Sequence, residues 1–404
     1  MTDKFIAELC GEKLEAKSHG PIESMGVDWR RLPTWDDLEF ACMPADPSPQ
    51  SDVGTGLVLG EDLGAPLAFD IPLMVSDMSF GSLSKPAKIA LARGAELAGA
   101  GMCSGEGGIL AEEIAESKHY LFELGTGEFG YAPTEYVKTP RWHGAQAFHF
   151  KGGQAAKTGT GGHLPKAKVT QEIADTRGCE VGKDVISPPT FRTLGSIDSF
   201  KERASSMREK IGAQVPFGYK LSAQHLKADI EFALEIGVSY IILDGRGGST
   251  GAAPVVFRDH ISMPTIPALL QARRIIDEAG ATDRVKLIIT GGLRVPTDFA
   301  KALALGADGV ALANSVLQAI GCFATRRCGK NLCRAGIATQ NEDYIDEFTG
   351  KPEQVRNFLV NSVRVMQALA EAHGHRHLRD FRSSDLVTRS ESMARLTGVR
   401  LREA

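Results

Sequence analysis

The segment CFATRRCGKNLC places Cys322, Cys328 and Cys333 at a C-x5-C-x4-C spacing, three of the chain's seven cysteines. Thiolates this close in sequence can hold a metal or an iron–sulfur centre. A zinc site usually has four ligands, often arranged as CxxC pairs, and no histidine stands nearby here. A disulfide framework needs an even number of cysteines and an oxidising compartment. Spacing alone leaves three ligand-type thiols with no assigned partner.

Other residues suggest a small anionic ligand. ITGGLRVPTD places Gly291 and Gly292 after an apolar run, and Asn314 and Ser315 open the segment after GVALA. Backbone N–H groups of a glycine turn and a helix start can cradle a phosphate. DGRGGSTGAAP, with Gly248 and Thr250, is a second glycine loop, equally readable as a solvated surface turn. Lys220 sits inside the apolar run FGYKLSA. It either faces an electron-rich ring or snorkels to water. Lys151, Lys157, Lys166, Lys168 and Arg177 cluster along KGGQAAKTGTGGHLPKAKVTQEIADTR. Such groups pair with carboxylates or phosphates, although a charged loop in water has the same composition. Glu106 in CSGEGGI can act as acid, base or ammonium partner, or simply as a turn residue.

The elements that position these residues follow from apolar periodicity. PLMVSDM, GMCSGEGG, QAFHFK, DVISPP, FGYKLSA, YIILDG, VKLIITGG and GVALAN predict eight strands. Helical stretches such as KPAKIALARGAELAGA, SFKERASSMREKIG, LKADIEFALEIG, IPALLQARRIIDEAG and VPTDFAKALALG lie between them. Alternation of this kind implies a parallel sheet, and eight units imply an α/β fold of the (β/α)8 TIM-barrel type. No G-x-G-x-x-G opens a first helix, which argues against a doubly wound sheet. Residues 1–70 read as an irregular N-terminal extension, with GLVLG and PLAFDIP as a short hairpin. Residues 71–340 read as the barrel, with the cysteine segment 322–333 at its end, and residues 341–404 as a C-terminal helical extension. In that extension PEQVRNFLVNSVRVMQALAEAHG predicts a helix, and HLRDFRSSDLVTRSESMARL a charged tail.

Composition excludes some classes of function. The formal charge of −4 over 404 residues argues against a nucleic-acid surface. No apolar run is long enough to span a membrane, and the charged N-terminus lacks a signal core. The expected setting is cytoplasmic, with reduced thiols. Cys10, Cys42, Cys103 and Cys179 have no assignable role, and Cys103 reads as packing.

In order along the chain, MSFGSLS, SGEGG, KGGQAAKTGTGGHLPKAKV, ISPP, GSTGAAP, CFATRRCGKNLC and ATQ resemble the synthase domain of glutamate synthase. That domain is an FMN-containing TIM barrel with a 3Fe-4S cluster, and the resemblance spans about residues 50–400. It implies that Cys322, Cys328 and Cys333 are the cluster ligands. It implies FMN held by Ser79, Lys220, Gly248, Thr250, Gly291, Gly292, Asn314 and Ser315. Lys151, Lys157, His163 and Arg177 would bind a 2-oxo acid, with Glu106 and Lys157 as the catalytic pair. The implied activity is reductive amination of 2-oxoglutarate or a related 2-oxo acid by ammonia or methylamine. Electrons would come from an NADPH flavoprotein or a ferredoxin through the cluster.

Neither a glutaminase domain nor a C-terminal β-helix domain is recognisable, so the ammonia source is expected to be a separate glutaminase-like subunit in a hetero-oligomer. In this the chain resembles a stand-alone subunit such as the large subunit of N-methylglutamate synthase. A plain glutamate synthase subunit and a non-catalytic electron-relay subunit are the alternatives. Thr160 and His163 stand where the family has a carboxylate and an amide, which points to a changed amine pocket.

Overall fold

Short, wholly apolar strands need cover on both faces, which a closed parallel barrel wrapped in helices provides. The computed structural model describes residues 22–402 except 29, 31, 42–51 and 138–139. Cys10, Cys42 and most of the turn-rich stretch after Phe40 lie outside the described residues.

The barrel strands are β1 (Leu73–Val75), β2 (Gly101–Cys103), β3 (Tyr120–Gly125), β4 (Ala147–Lys151), β5 (Phe217–Ser222), β6 (Tyr240–Asp244), β7 (Lys286–Thr290) and β8 (Gly309–Leu312). They pair in parallel in chain order, and β8 returns to β1. The main helices are α1 (Lys85–Leu97), α2 (Gln171–Arg177), α3 (Ile197–Ile211), α4 (Leu226–Ile236), α5 (Thr265–Glu278), α6 (Pro296–Ala304), α7 (Asn314–Ala319) and α8 (Pro352–Ala372). Each amphipathic stretch expected to be helical is helical. Capping geometry sets several of the ends. Ser196 accepts from Ser199 N at the start of α3, and Gly212 ends that helix in the left-handed conformation.

One strand assignment is corrected. DVISPP does not enter the barrel: Val185–Ile186 pairs antiparallel with His163–Leu164 in a separate two-stranded sheet. The missing barrel strand is YLFELG, which is buried along its whole length. Glu123 in its middle and the preceding SKH hide its apolar run. The prolines after Ile186 limit that segment to a short edge pair.

The GLVLG/PLAFDIP hairpin forms as expected, from Leu57–Leu59 and Leu67–Phe69. Its Leu57, Leu59, Leu67 and Phe69 pack with inward-facing Met74, Leu121, Ala147, Ile242, Ile288 and Ala311. This apolar plug closes one end of the barrel. Side chains alternate along a strand, so residues two apart share a face. On β4, inward Ala147 belongs to the plug, while His149 and Lys151 point up the same axis towards the other end.

The charged segment after α8, expected as a tail, is folded. Leu386–Thr388 pairs with Glu39–Phe40 on one side and Arg400–Leu401 on the other. Buried Leu378, Phe381, Leu386, Val387, Met393 and Val399 anchor it, six apolar residues spread thinly among charges. No helix among the described residues is long and apolar enough to cross a membrane.

A candidate active site at the carboxyl end of the barrel

Chemistry in such barrels gathers where the strands end and the βα loops begin. The cavity there is lined by Ser79, Glu106, Lys151, Lys157, His163, Arg177, Lys220, Gly248, Thr250, Asn314, Cys322, Cys328 and Cys333, among others. Thirteen of the sixteen residues picked out from the sequence thus face one space. Gly291, Gly292 and Ser315 are not among its lining residues.

Lys88 ties the first two loops together. It is fully buried, and its Nζ donates to Met78 O and Ser104 O and pairs with Glu113 at 2.7 Å. Burial pushes the Glu113 carboxyl up to about 7 despite Lys88. This inner strut orients MSFGSLS against SGEGG. Arg177, the last residue of α2, reaches the same place and donates to Ser79 Oγ at 3.0 Å and Phe80 O at 2.8 Å. Gln340 of the ATQ segment donates to Leu83 O at 2.8 Å and clamps the first loop from outside.

Glu106 is buried beside three cations. Lys151 Nζ lies 3.1 Å from its Oε2, and Ser187 Oγ donates to its Oε1. Burial raises its pKa, but Lys151 and the Ser187 hydrogen bond outweigh burial and hold it at about 2. Glu106 is therefore an anion, a hydrogen-bond acceptor and ammonium partner rather than a proton donor. Gly125 on β3 makes room for it: a Cβ there would lie 2.6 Å from Glu106 Cδ.

Lys157 and Arg177 are buried, and among the described residues neither has a carboxylate within ion-pair distance. Burial and the nearby Lys151 lower the Lys157 pKa to about 8. Glu106 offsets part of their charge from a distance, and buried cations without a direct ion pair suit an anion from outside. The rest of the cationic run divides. Lys166 is exposed, whereas Lys168 is buried and donates to Ser82 O, Cys328 O and Ala338 O. His163 is part-exposed, 3.4 Å from Asp184.

Lys220 neither snorkels nor stands free. Its Nζ lies 2.7 Å from Asp77 Oδ2 and 3.4 Å from Glu123 Oε2. Burial alone would lower its pKa, but these two carboxylates raise it well above the ordinary lysine value. His149 completes the group, with Nε2 3.1 Å from Asp77 Oδ1 and 3.5 Å from Glu123 Oε2. The ligand atoms of Asp77, Glu123 and His149 fall within 4.8 Å of one another, a spacing that could suit a metal. The Lys220 ammonium already pairs with both carboxylates of this group. Asp77, Glu123 and His149 were not singled out in the sequence, although Glu123 and His149 show the signal that marked Lys220, a charged or polar residue inside a buried strand.

The cysteine segment leaves α7 and turns sharply. Ala324, Arg326 and Asn331 have φ of 53°, 57° and 57°, left-handed values that non-glycine residues adopt only under constraint. Ser24 pins the segment, accepting from Gly329 N at 2.9 Å while donating to Gly251 O at 2.7 Å. Burial first, and the neighbouring Cys333 next, raise the Cys328 pKa, with Cys322 adding to the effect. Three crowded, unpaired thiols opening on one cavity suit a multi-iron centre, which takes thiolate ligands. Cys103 is fully buried, consistent with packing, and Cys179 is half-buried.

The glycine turns fit a phosphorylated, flat ligand. Gly291 and Gly292 have φ of 117° and 84°, and a Cβ on Gly291 would lie 2.5 Å from Gly245 O. The buried Ser315 Oγ, one residue into α7, has no partner among the described residues. Backbone donors, an unsatisfied hydroxyl and the loops after β7 and β8 are the usual ingredients of a barrel phosphate site.

Fold and site together define a (β/α)8 barrel with a buried cationic pocket beside a three-cysteine segment. Residues 50–376 match the conserved region in glutamate synthase, and the chain belongs to the glutamate synthase family. It is 35% identical over 294 residues to an archaeal-type glutamate synthase (NADPH) of Thermotoga neapolitana, covering 72% of this chain and 57% of that protein. A glutamate synthase large subunit-like protein of Rhizobium meliloti is 30% identical over 400 residues, covering 92% of this chain and 88% of the relative. The chain thus spans little more than half of the archaeal-type relatives and most of the large subunit-like one. Among solved structures, a flavocytochrome b2 variant with benzoylformate superposes with TM-score 0.57 at 17% identity, covering 90% of this chain and 80% of that one. A mandelate oxidase variant with a monooxide FMN adduct gives 0.51 at 17%, covering 87% and 88%. These likenesses establish the barrel fold.

Proposed function

We propose that this chain is the catalytic barrel of a flavin-dependent aminating synthase. It would reduce the imine formed between a 2-oxo acid such as 2-oxoglutarate and ammonia or methylamine. The observation that carries this reading is the gathering in one cavity of the anionic Glu106 with two buried cations, Lys157 and Arg177, that have no carboxylate within ion-pair distance among the described residues. The cations suit the carboxylates of a 2-oxo acid, and Glu106 suits the incoming ammonium or the iminium. Lys151 keeps Glu106 ionised while facing the same ligand.

The glycine turns at Gly291–Gly292 and Gly248–Thr250, with Ser79, Asn314 and Ser315, would hold FMN, and Lys220 would approach its ring. The mandelate oxidase variant of the same fold carries an FMN adduct. Cys322, Cys328 and Cys333 would hold a 3Fe-4S cluster. When bound, these groups supply a hydride to the imine carbon and a route for single electrons. The chain's own residues bind the acid, hold the amine beside it and exclude water from the imine. His163 lines this pocket, Thr160 donates to Lys157 O at 3.1 Å, and both would shape the choice of amine. A partner protein would deliver electrons, as the archaeal-type relatives named for NADPH suggest. A separate glutaminase-like subunit would supply ammonia, making the working form a hetero-oligomer. The large subunit of N-methylglutamate synthase serves as a functional model, and the expected setting is cytoplasmic.

Anaerobic purification followed by iron and FMN analysis and EPR tests the reading. Three irons, one FMN and an oxidised three-iron signal per chain support it. Turnover with ammonia against methylamine then identifies the amine. Folded protein that binds neither FMN nor iron when supplied with both defeats it.

A further inference from the structure

At the floor of the cavity, where Asp77, Glu123 and Lys220 line it, lies a closed ring of charges. Asp77 and Glu123 each approach both Lys220 and His149, at 2.7 to 3.5 Å. All four side chains are at most 6% exposed. The charge on His149 follows from its partners. The Tyr240 hydroxyl donates its single proton to Phe148 O at 2.9 Å. Facing His149 Nδ1 at 3.2 Å, that oxygen can only accept, so Nδ1 carries a proton. Nε2 faces two carboxylates and must carry one as well. The ring therefore contains two anions and two cations, and Glu123 also reaches Lys151 at 3.3 Å. Gly218 permits this arrangement, because a Cβ there would collide with the Tyr240 ring.

Of the two cations, Lys220 is the one that lines the cavity. A bare ammonium beside a flavin would favour the anionic reduced ring and weaken it as a hydride donor. Here the ammonium is matched from within the protein. We infer that Asp77, Glu123 and His149 are positioning residues that set the reducing strength of the flavin by fixing how much of the Lys220 charge it feels. This rests on the reading that FMN occupies the cavity beside Lys220.

The test is the two-electron midpoint potential of the FMN-loaded full chain, measured anaerobically by spectroelectrochemistry. The variants are Asp77→Asn, Glu123→Gln and His149→Gln. Loss of either carboxylate charge is expected to shift the potential up, and loss of the imidazolium charge to shift it down. Opposite signs are the signature, because a merely structural role would move all three the same way or none of them. Unchanged potentials, or shifts of one sign, with flavin bound overturn the inference and leave the functional reading standing. If Asp77→Asn does not fold, Glu123→Gln and His149→Gln still supply the two signs. A wild-type chain that takes up no FMN removes the functional reading and this inference together.

Discussion

Glu123 stands between Lys151 and Lys220, 3.3 Å from one ammonium and 3.4 Å from the other. The two lysines are register partners on adjacent strands β4 and β5. Like charges paired this closely in a barrel interior would repel without a shared anion. Glu123, from β3, joins the cation that faces Glu106 to the cation at the proposed flavin edge.

Replacing Glu123 by Leu should be strongly destabilising, because it leaves buried cations short of a counter-charge. The expected cost is about 3–5 kcal/mol, the usual penalty for breaking a buried pair from one side. Denaturant unfolding of the two proteins measures it. A loss below about 1 kcal/mol would mean that water or Asp77 takes over the role.

His149 should be doubly protonated at neutral pH. Burial lowers its pKa, but Asp77 and Glu123 raise it above the ordinary value of 6.5. A raised folded pKa gives stability that is fully present below the unfolded value and is lost as pH rises through the folded one. Nitrogen-15 NMR should find both ring N–H groups at pH 7, and stability should fall on the alkaline side. A neutral imidazole at pH 7 contradicts the hydrogen-bond assignment.

Lys157 predicts a pH dependence for anion binding. With its pKa lowered to about 8 by burial and Lys151, it loses its charge as pH rises through that value. Affinity for 2-oxoglutarate should therefore weaken above about pH 8. Lys157→Met should cost about 10–100-fold in affinity, one charged hydrogen bond, and flatten the profile. Calorimetric titration at several pH values decides it.

Each of Cys322→Ser, Cys328→Ser and Cys333→Ser should lower iron per chain while FMN content stays unchanged. The Gly291–Gly292 turn and Lys220 belong to strands β7 and β5 and their ends, apart from the cysteine segment. Parallel loss of both cofactors from properly folded variants would show that the two sites form as one.

Much of this molecule is legible in its sequence. Apolar runs alternating with amphipathic helices determine the barrel, because a strand buried on both faces and a helix buried on one carry distinct periodicities. The glycine turns, the three cysteines and the cations around Lys157 are local signals, and they identify one end of the barrel as the site. The charge ring was not legible in the same way. Glu123 disguised its own strand, and Val185–Ile186 resembled a barrel strand because local pattern cannot say which neighbour a strand will find. That Asp77, Glu123, His149 and Lys220 meet is decided by barrel closure. Closure places β3, β4 and β5 side by side, in a register that aligns Glu123 with His149 and Lys151 with Lys220, and brings Asp77, just past the end of β1, to meet them. Sequence determined which groups carry charge. Only the tertiary structure, by burying them together away from water, decided that they must neutralise one another.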